Sequence, residues 1–243
     1  MCTLTYLLTE HGYEIYFNRD EQRARLLALA PQFNSSREAI YPIDANGQGT
    51  WLALSQSGLS LALLNNYQAA ATPVNENSIS RGQLILSLLD KVKNVPNDAD
   101  IMTQLKTLDL TVYQPFVLCV FPSDLTLNNI NIGVVKWGAS QLTQCTADLP
   151  ITSSSVDFNA VCLKRQQRFA ALVDKAHPQS EQLKVFHYST EAQGKHSVQM
   201  SRDDARTVSI SHLSVTENLV SFEYFDAVEG VGSRVTRGRL GVR

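Results

Sequence analysis

Cys2 is the residue whose type and position point most directly to chemistry. An initiator methionine that precedes a small residue is usually removed in the cytoplasm, which would leave Cys2 with the free α-amino group. Such an amine titrates near pH ~8 and can accept the proton of the thiol. Nucleophile and base would then lie in one residue. Cys2 is therefore a candidate nucleophile.

The tetrapeptide Asn18-Arg19-Asp20-Glu21 gives Cys2 a chemical context. Residues 3–8 and 13–17 alternate or are rich in strand-forming side chains, and a short turn joins them, so they predict two antiparallel strands. The tetrapeptide follows the second strand. It therefore returns to the end of the sheet at which Cys2 lies.

Two residues of this tetrapeptide have expected roles beside the thiol. The positive charge of Arg19 would lower the pKa of the Cys2 thiol. The carboxylate of Asp20 would hold the ammonium form of the α-amine. The structural alternative is a charged turn that contains only a local ion pair.

The remaining elements follow from hydrophobic periodicity. Further strands are predicted over 51–55, 59–64, 116–121, 125–127, 131–137, 141–146, 197–201, 207–213 and 219–225. Helices are predicted over 81–93, 98–107 and 156–176, and a loop over 31–49. The order strands, helix, strands, helix, strands favours an α+β fold in which outer helices cover two mainly antiparallel sheets, as one domain over residues 1–243.

Arg165 lies at the centre of the apolar stripe of the last predicted helix. A buried guanidinium needs paired acceptors. The alternative is a packed stem whose charged head reaches solvent. The arginines of the chain end are predicted to form a solvated tail: Arg234, Arg237, Arg239 and Arg243.

The composition excludes several classes of protein. The 243 residues carry 21 Lys and Arg against 23 Asp and Glu, a net charge of −2, so a general attraction to nucleic acid or anionic membrane is not expected. No apolar run reaches the roughly 18 residues that span a bilayer. The cysteines and histidines lack metal-site spacing, and free thiols are expected. Residues 1–16 contain no Lys or Arg, which is unlike a secretory signal and predicts a cytoplasmic location.

Several motifs along the chain resemble those of one family. They are Met1-Cys2, Gly12-Tyr13, Asn18-Arg19-Asp20-Glu21, Tyr41-Pro42-x-Asp44, Gly49-Thr50-Trp51, Leu64-Asn65 and Ser153-Ser154-Ser155. Together they resemble the NRDE family, which is the family of the transport-and-Golgi-organisation-2 protein. Gln48 stands where this family usually has a glycine. The resemblance implies the four-layer αββα sandwich of N-terminal-nucleophile hydrolases.

A more distant resemblance is to choloylglycine hydrolases and penicillin V acylases. It implies that Cys2, Arg19, Asp20 and Asn65 form a catalytic set, with Asn65 stabilising charge on the attacked carbonyl. Ser153 stands where those enzymes have a second asparagine, which weakens the amidase interpretation. Arg168, which precedes a phenylalanine, is similar to their late arginine.

The family resemblance implies intracellular heme binding and transfer, with heme as a carried ligand and heme-acceptor proteins as partners. Carboxylates of the heme would meet Arg19, Arg165 or Arg168, and Asn18, Trp51 and Ser153 complete the expected ligand site. The second hypothesis is a Cys2-dependent amidohydrolase that acts on an acyl-amide. A third is a folded module without a ligand. The resemblance places the carrier slightly above the hydrolase.

Overall fold

The computed structural model describes residues 1–91, 98–146 and 148–241. In these ranges the chain forms thirteen strands and four helices. All strand pairs within the two sheets are antiparallel. The α+β class and the arrangement of two sheets between outer helices are confirmed.

The first sheet has six strands in the order β10-β1-β2-β11-β12-β13. Their bounds are β1 Cys2–Thr9, β2 Gly12–Gln22, β10 Ile151–Ser153, β11 Ala205–Val215, β12 Leu219–Asp226 and β13 Val231–Gly238. The alternation in β2 is the reason for its placement: Tyr13, Ile15 and Phe17 are fully buried toward the other sheet. Their neighbours in β2 point to the opposite face, because successive strand residues alternate.

The second sheet has seven strands in sequence order, β3 to β9. Their bounds are β3 Leu29–Asn34, β4 Ala39–Ile43, β5 Leu52–Ser55, β6 Ser60–Asn65, β7 Phe116–Phe121, β8 Gly133–Trp137 and β9 Leu142–Gln144. A cluster of apolar side chains fills the space between the two sheets. This core includes Cys2 of the first sheet and Leu64 of the second, so the nucleophile candidate lies at the junction of the sheets.

Four helices cover the outer faces: α1 Gly82–Lys91, α2 Asp98–Thr107, α3 Phe158–Leu172 and α4 Ser180–His187. The apolar faces of α1 and α2 pack on the seven-stranded sheet. The helices α3 and α4 pack on the six-stranded sheet through Phe169, Leu183 and Phe186. The layers are therefore helix, sheet, sheet and helix.

Several sequence predictions about elements are wrong. The predicted loop over 31–49 contains β3 and β4. Strand β3 was missed because Pro31 argues against a strand. A proline is tolerated here because β3 lies at the edge of its sheet, where the missing N–H breaks no hydrogen bond between strands. Segments 125–127 and 197–201 form isolated bridges and turns instead of strands. The helix predicted to end at residue 93 is described only to Lys91, because residues 92–97 lie outside the described ranges.

The chain end is also corrected, because the predicted arginine tail is largely strand β13. Arg234 and Arg237 are exposed to solvent as predicted, and Arg243 lies outside the described ranges. Arg234 ion-pairs with Glu223 of β12, and Arg239 donates to main-chain carbonyls of Ser57 and Thr216 at 3.0 and 2.8 Å. The two-turn helix α4 was not predicted, because a helix of eight residues offers little periodicity. Its buried face depends on contacts with α3.

Candidate active site at the start of the chain

The register of β1 places Cys2 between two partner strands. Cys2 lies opposite Arg19 of β2 and opposite Ser153 of β10. The hairpin of β1 and β2 is local in sequence, so this return of Arg19 to Cys2 follows the sequence prediction. The pairing with Ser153 joins residues that are far apart in the chain.

Cys2 is buried, with 8% of its surface exposed. Burial raises the pKa of the Cys2 thiol, and the charge of Asp20 adds to this; the terminal ammonium group, Arg19 and a backbone hydrogen bond from Asp20 lower it without cancelling the rise. Arg19 lowers the thiol pKa as predicted, but with Met1 in place the net direction is upward because burial outweighs it. Removal from water disfavours the thiolate more than one nearby guanidinium favours it.

Met1 occupies a defined position beside Cys2. Its terminal ammonium group donates to the carbonyl oxygen of Asp20 at 3.2 Å, and its sulfur accepts a hydrogen bond from the Ser154 hydroxyl at 3.4 Å. Its side chain packs with Met200 and Ala205. With Met1 present, the nitrogen of Cys2 is an amide and cannot act as a base.

Arg19 joins the two sheets by its charge and its planar head. The guanidinium ion-pairs with Asp44 and lies 3.3 Å from Glu21. Its Cζ atom stands 4.3 Å from the centre of the Trp51 ring, a cation–π geometry. Because Trp51 is adjacent to β5, this stack holds the amino-terminal sheet against the second sheet.

Asp44 is the acceptor at the centre of a charged cluster. Its carboxylate also accepts from Arg25 at 2.9 Å and from the main-chain N–H of Gly47 at 2.7 Å. Burial would raise the pKa of Asp44, but the hydrogen bonds from Arg25 and Gly47 and the charges of Arg19 and Arg25 outweigh it and lower the pKa. Gln48 in the same loop has a φ of 51°, in the left-handed region that favours glycine.

Asp20 points its carboxylate toward the helices and not toward the amine of the chain start. One oxygen lies 3.4 Å from Arg165, and the other accepts from the Thr207 hydroxyl at 2.6 Å. Arg165 is fully buried and also donates to the Thr3 hydroxyl. The buried alternative for Arg165 is therefore the observed one, and Asp20 supplies the acceptor. The carbonyl of Asp20, not its carboxylate, receives the ammonium group of Met1.

A cleft of about 360 Å³ opens at Cys2. Its lining comes from both sheets and from the start of α1, and includes Arg19, Trp51, Asn65, Tyr67 and Arg81. Asn65 ends β6, and its amide nitrogen donates to the Tyr67 hydroxyl at 2.6 Å. The second amide hydrogen of Asn65 is the one left for a ligand carbonyl.

Ser153 belongs to a neighbouring cavity of about 560 Å³, which Asn65 also lines. The Ser153 hydroxyl is buried and has no hydrogen-bond partner among the described residues. A buried hydroxyl without a partner is costly. It lies one strand away from Cys2 and is a polar group that a ligand in this cavity would satisfy.

Four of the six predicted ligand-binding residues lie away from the cleft at Cys2. Ser153 lines the neighbouring cavity, and Arg165 is buried against Asp20 and Thr3. The other two are Asn18 and Arg168. Asn18 is fully buried, donates to the carbonyls of His187 and Val198, and contacts the His187 ring at 2.7 Å. Arg168 ion-pairs with Glu191 and donates to Ser189 at 2.9 Å. Both side chains contact the helical layer.

Among the cleft residues that the sequence analysis missed are Arg25, Tyr67 and Arg81. Arg81 immediately precedes α1, and Tyr67 follows β6 by two residues. Both therefore lie next to the terminus of an element that borders the cleft. The sequence offered a signal only for Tyr67, which closely follows Asn65 at the end of a predicted strand. In the described ranges no group of three His, Cys, Asp or Glu residues could hold a metal ion.

The family comparison confirms the first resemblance. A family model described as Transport and Golgi organisation 2 matches residues 1–213. The chain belongs to this family. The region that matches the Transport and Golgi organisation 2 family includes Cys2, the charged cluster around Asp44, and both Arg165 and Arg168 of α3. No curated protein sequence matches the chain significantly.

Solved structures extend the comparison for the Transport and Golgi organisation 2 family. One is penicillin V acylase from Agrobacterium tumefaciens, with 10% identity and a TM-score of 0.54, covering 97% of this chain and 86% of that chain. Another is the Caenorhabditis elegans ortholog of N-acylethanolamine-hydrolyzing acid amidase, with 12% identity and a TM-score of 0.53, covering 89% and 93%. At these identities the likeness shows the fold alone, a four-layer αββα sandwich. No described helix of this chain is long and apolar enough to cross a membrane.

Proposed function

We propose that this chain, once Met1 is removed, is an N-terminal cysteine amidohydrolase that cleaves an acyl-amide in the cleft at Cys2. The observation that carries the proposal is the position of Cys2, at the first position of β1, in a cleft that also contains Asn65 and Arg19. The two amidases of like fold support it as analogy.

The reaction needs only groups of this chain and one water molecule. The free α-amine of Cys2 takes the thiol proton, and the sulfur attacks the amide carbonyl carbon. The remaining amide hydrogen of Asn65 stabilises the charge on the carbonyl oxygen. The protonated amine gives its proton to the leaving nitrogen as the C–N bond breaks. Water then cleaves the thioester, which restores the thiol and releases the acid.

Heme binding and transfer is the second candidate, and the state of the site with Met1 in place favours it. There the nitrogen of Cys2 is an amide and burial keeps the thiol protonated, so a ligand in the cleft would meet no activated nucleophile. Met1 lines this cleft, and a methionine thioether serves as a heme ligand in proteins, whereas the protonated thiol of Cys2 does not. The lining contains no histidine among the described residues.

One experiment separates the two functions. Protein purified with its native start is assayed for hydrolysis of a panel of acyl-amides and titrated with hemin, in parallel with Cys2→Ala and the control Cys145→Ala. Hydrolysis that Cys2→Ala abolishes and Cys145→Ala retains supports the amidase. A shifted Soret band, with heme passed on to an acceptor apo-protein and no hydrolysis, supports the carrier and overturns the amidase.

A further inference from the structure

The acidic side chains around the cleft are all neutralised by arginines other than Arg81. Glu21 and Asp44 pair with Arg19, and Arg25 lies within 3.5 Å of Glu21 and 2.9 Å of Asp44. The carboxylate of Asp20 turns away to Arg165. The carboxylates of Glu21 and Asp44 are therefore balanced by the guanidinium groups of Arg19 and Arg25.

Arg81 is the one arginine of the cleft lining that has no carboxylate partner among the described residues. Its guanidinium donates to the carbonyl of Pro115 at 3.1 Å, and no carboxylate of the described residues stands within ion-pair distance of it. Burial lowers the pKa of Arg81, yet an arginine stays protonated at neutral pH. A partly buried cation without a counter-ion gains free energy when an anion binds beside it.

Tyr67 supplies a second unused donor near Arg81. The charge of Arg81 acts on the phenol and opposes the rise in pKa that burial gives Tyr67. The Tyr67 oxygen accepts from Asn65, while its own hydrogen has no acceptor among the described residues. A guanidinium and a phenol hydrogen thus face the same cleft as Cys2.

We propose that Arg81, assisted by Tyr67, is a carboxylate subsite of the Cys2 cleft, so that its ligand is anionic. For the amidase, on which this form of the inference rests, the substrate class is an acyl-amide that bears a carboxylate. For the carrier, the same subsite takes a propionate of heme. The shared chemistry is a carboxylate on a guanidinium.

The test measures binding and not turnover, so that it stands apart from catalysis. Calorimetry on Cys2→Ala protein compares N-hexanoylglycine with its neutral analogue N-hexanoylglycinamide, and spectral titration compares hemin with hemin dimethyl ester. We expect the acid of at least one pair to bind about ten- to a hundredfold more tightly than its neutral partner, as for a charge-assisted hydrogen bond.

Substitutions test whether Arg81 and Tyr67 cause the tighter binding of the acid. Arg81→Gln in the same background should abolish the preference for the acid, Arg81→Lys should keep part of it, and Tyr67→Phe should reduce it. The control Arg237→Gln makes the same charge change on the exposed strand β13 and should keep the full preference. Thermal unfolding of each variant verifies that it is folded.

The outcomes separate the subsite from the proposed function. A preference that needs Arg81, in a wild-type protein that cleaves no amide, supports the subsite and overturns the amidase. Hydrolysis with equal rates for acids and neutral analogues supports the amidase and overturns the subsite. A preference that survives Arg81→Gln, or no binding of either acid, overturns the subsite as well.

Discussion

The terminal ammonium group of Met1 donates to the carbonyl oxygen of Asp20 at 3.2 Å, and the N–H of Asp20 returns a bond to the carbonyl of Met1 at 2.9 Å. Met1 therefore extends the pairing of β1 with β2 by one residue. Its loss would place the amine of Cys2 at the end of the strand, where the proposed chemistry needs a base.

Removal of Met1 is the first prediction. Because the side chain of Cys2 is small, native protein should lack Met1 in intact-mass spectra. Cys2→Ala should be processed in the same way, while Cys2→Leu, with a larger second residue, should retain Met1. Wild-type protein that keeps Met1 completely would rule out the amidase and leave the carrier unaffected.

The second prediction concerns the reactivity of the Cys2 thiol. With Met1 present, burial raises the pKa of Cys2, so labelling by iodoacetamide at pH 6.5 should be slow. Removal of Met1, which lies beside Cys2, should expose the thiol and would bring the ammonium group onto the same residue, so labelling should be faster. Mass spectrometry distinguishes the two amino-terminal peptides within one sample.

Cys119 is the internal reference for this measurement. Burial raises its pKa to about 12, so it should label slowly in both forms. Equal labelling rates of Cys2 in the processed and unprocessed peptides would contradict the proposed activation by processing.

The third prediction concerns the buried pair of Asp20 and Arg165. Arg165→Met leaves the Asp20 carboxylate buried without its cation and should lower the free energy of unfolding by about 3–5 kcal/mol. The double variant Asp20→Asn with Arg165→Met should recover a large part of this loss. Urea unfolding at pH 7 gives the values.

A surface ion pair provides the matched control for Arg165. Arg234→Met breaks the exposed pair with Glu223 and should change the free energy of unfolding by at most about 1 kcal/mol. If Arg165→Met were as mild as Arg234→Met, the buried pair would not hold Asp20 in place.

The fourth prediction is a loss of stability in mild acid that comes from His187. Burial, together with the charges of Arg165 and His212, lowers the pKa of His187 well below 6.5. The folded ring stays neutral while the unfolded ring binds a proton, so below pH 6.5 the unfolded state takes up more protons. The free energy of unfolding should then fall by up to about 1.4 kcal/mol per pH unit.

Substitution isolates the contribution of this ring. His187→Gln should flatten the pH dependence of the free energy of unfolding between pH 5 and 6.5, even though it lowers stability overall by removing contacts with Thr5 and Asn18. The exposed His177→Gln should leave the slope unchanged. An unchanged slope in His187→Gln would show that the ring does not titrate in this way.

The sequence alone determined the features that depend on neighbours along the chain. The alternation in Tyr13, Ile15 and Phe17 set the face of β2, and the short turn before it set the register that returns Arg19 to Cys2. Two of the edge strands, β3 and β13, escaped prediction, since they bury too few side chains to show a clear pattern. The period of a buried face is readable because each strand or helix carries it locally.

Only the tertiary structure decided which charges meet. Asp20 pairs with Arg165, from which it is separated by 145 positions in the sequence. No spacing rule predicts this pair, because the two residues meet only when α3 packs on the sheet. The direction of the Cys2 pKa shift depends on burial by both sheets, which outweighs the nearby charge of Arg19. Arg81 is left without a counter-ion because the acids of the cleft are taken by arginines from other elements. Such balances arise between elements distant in sequence, so they exist only once the sheets have packed.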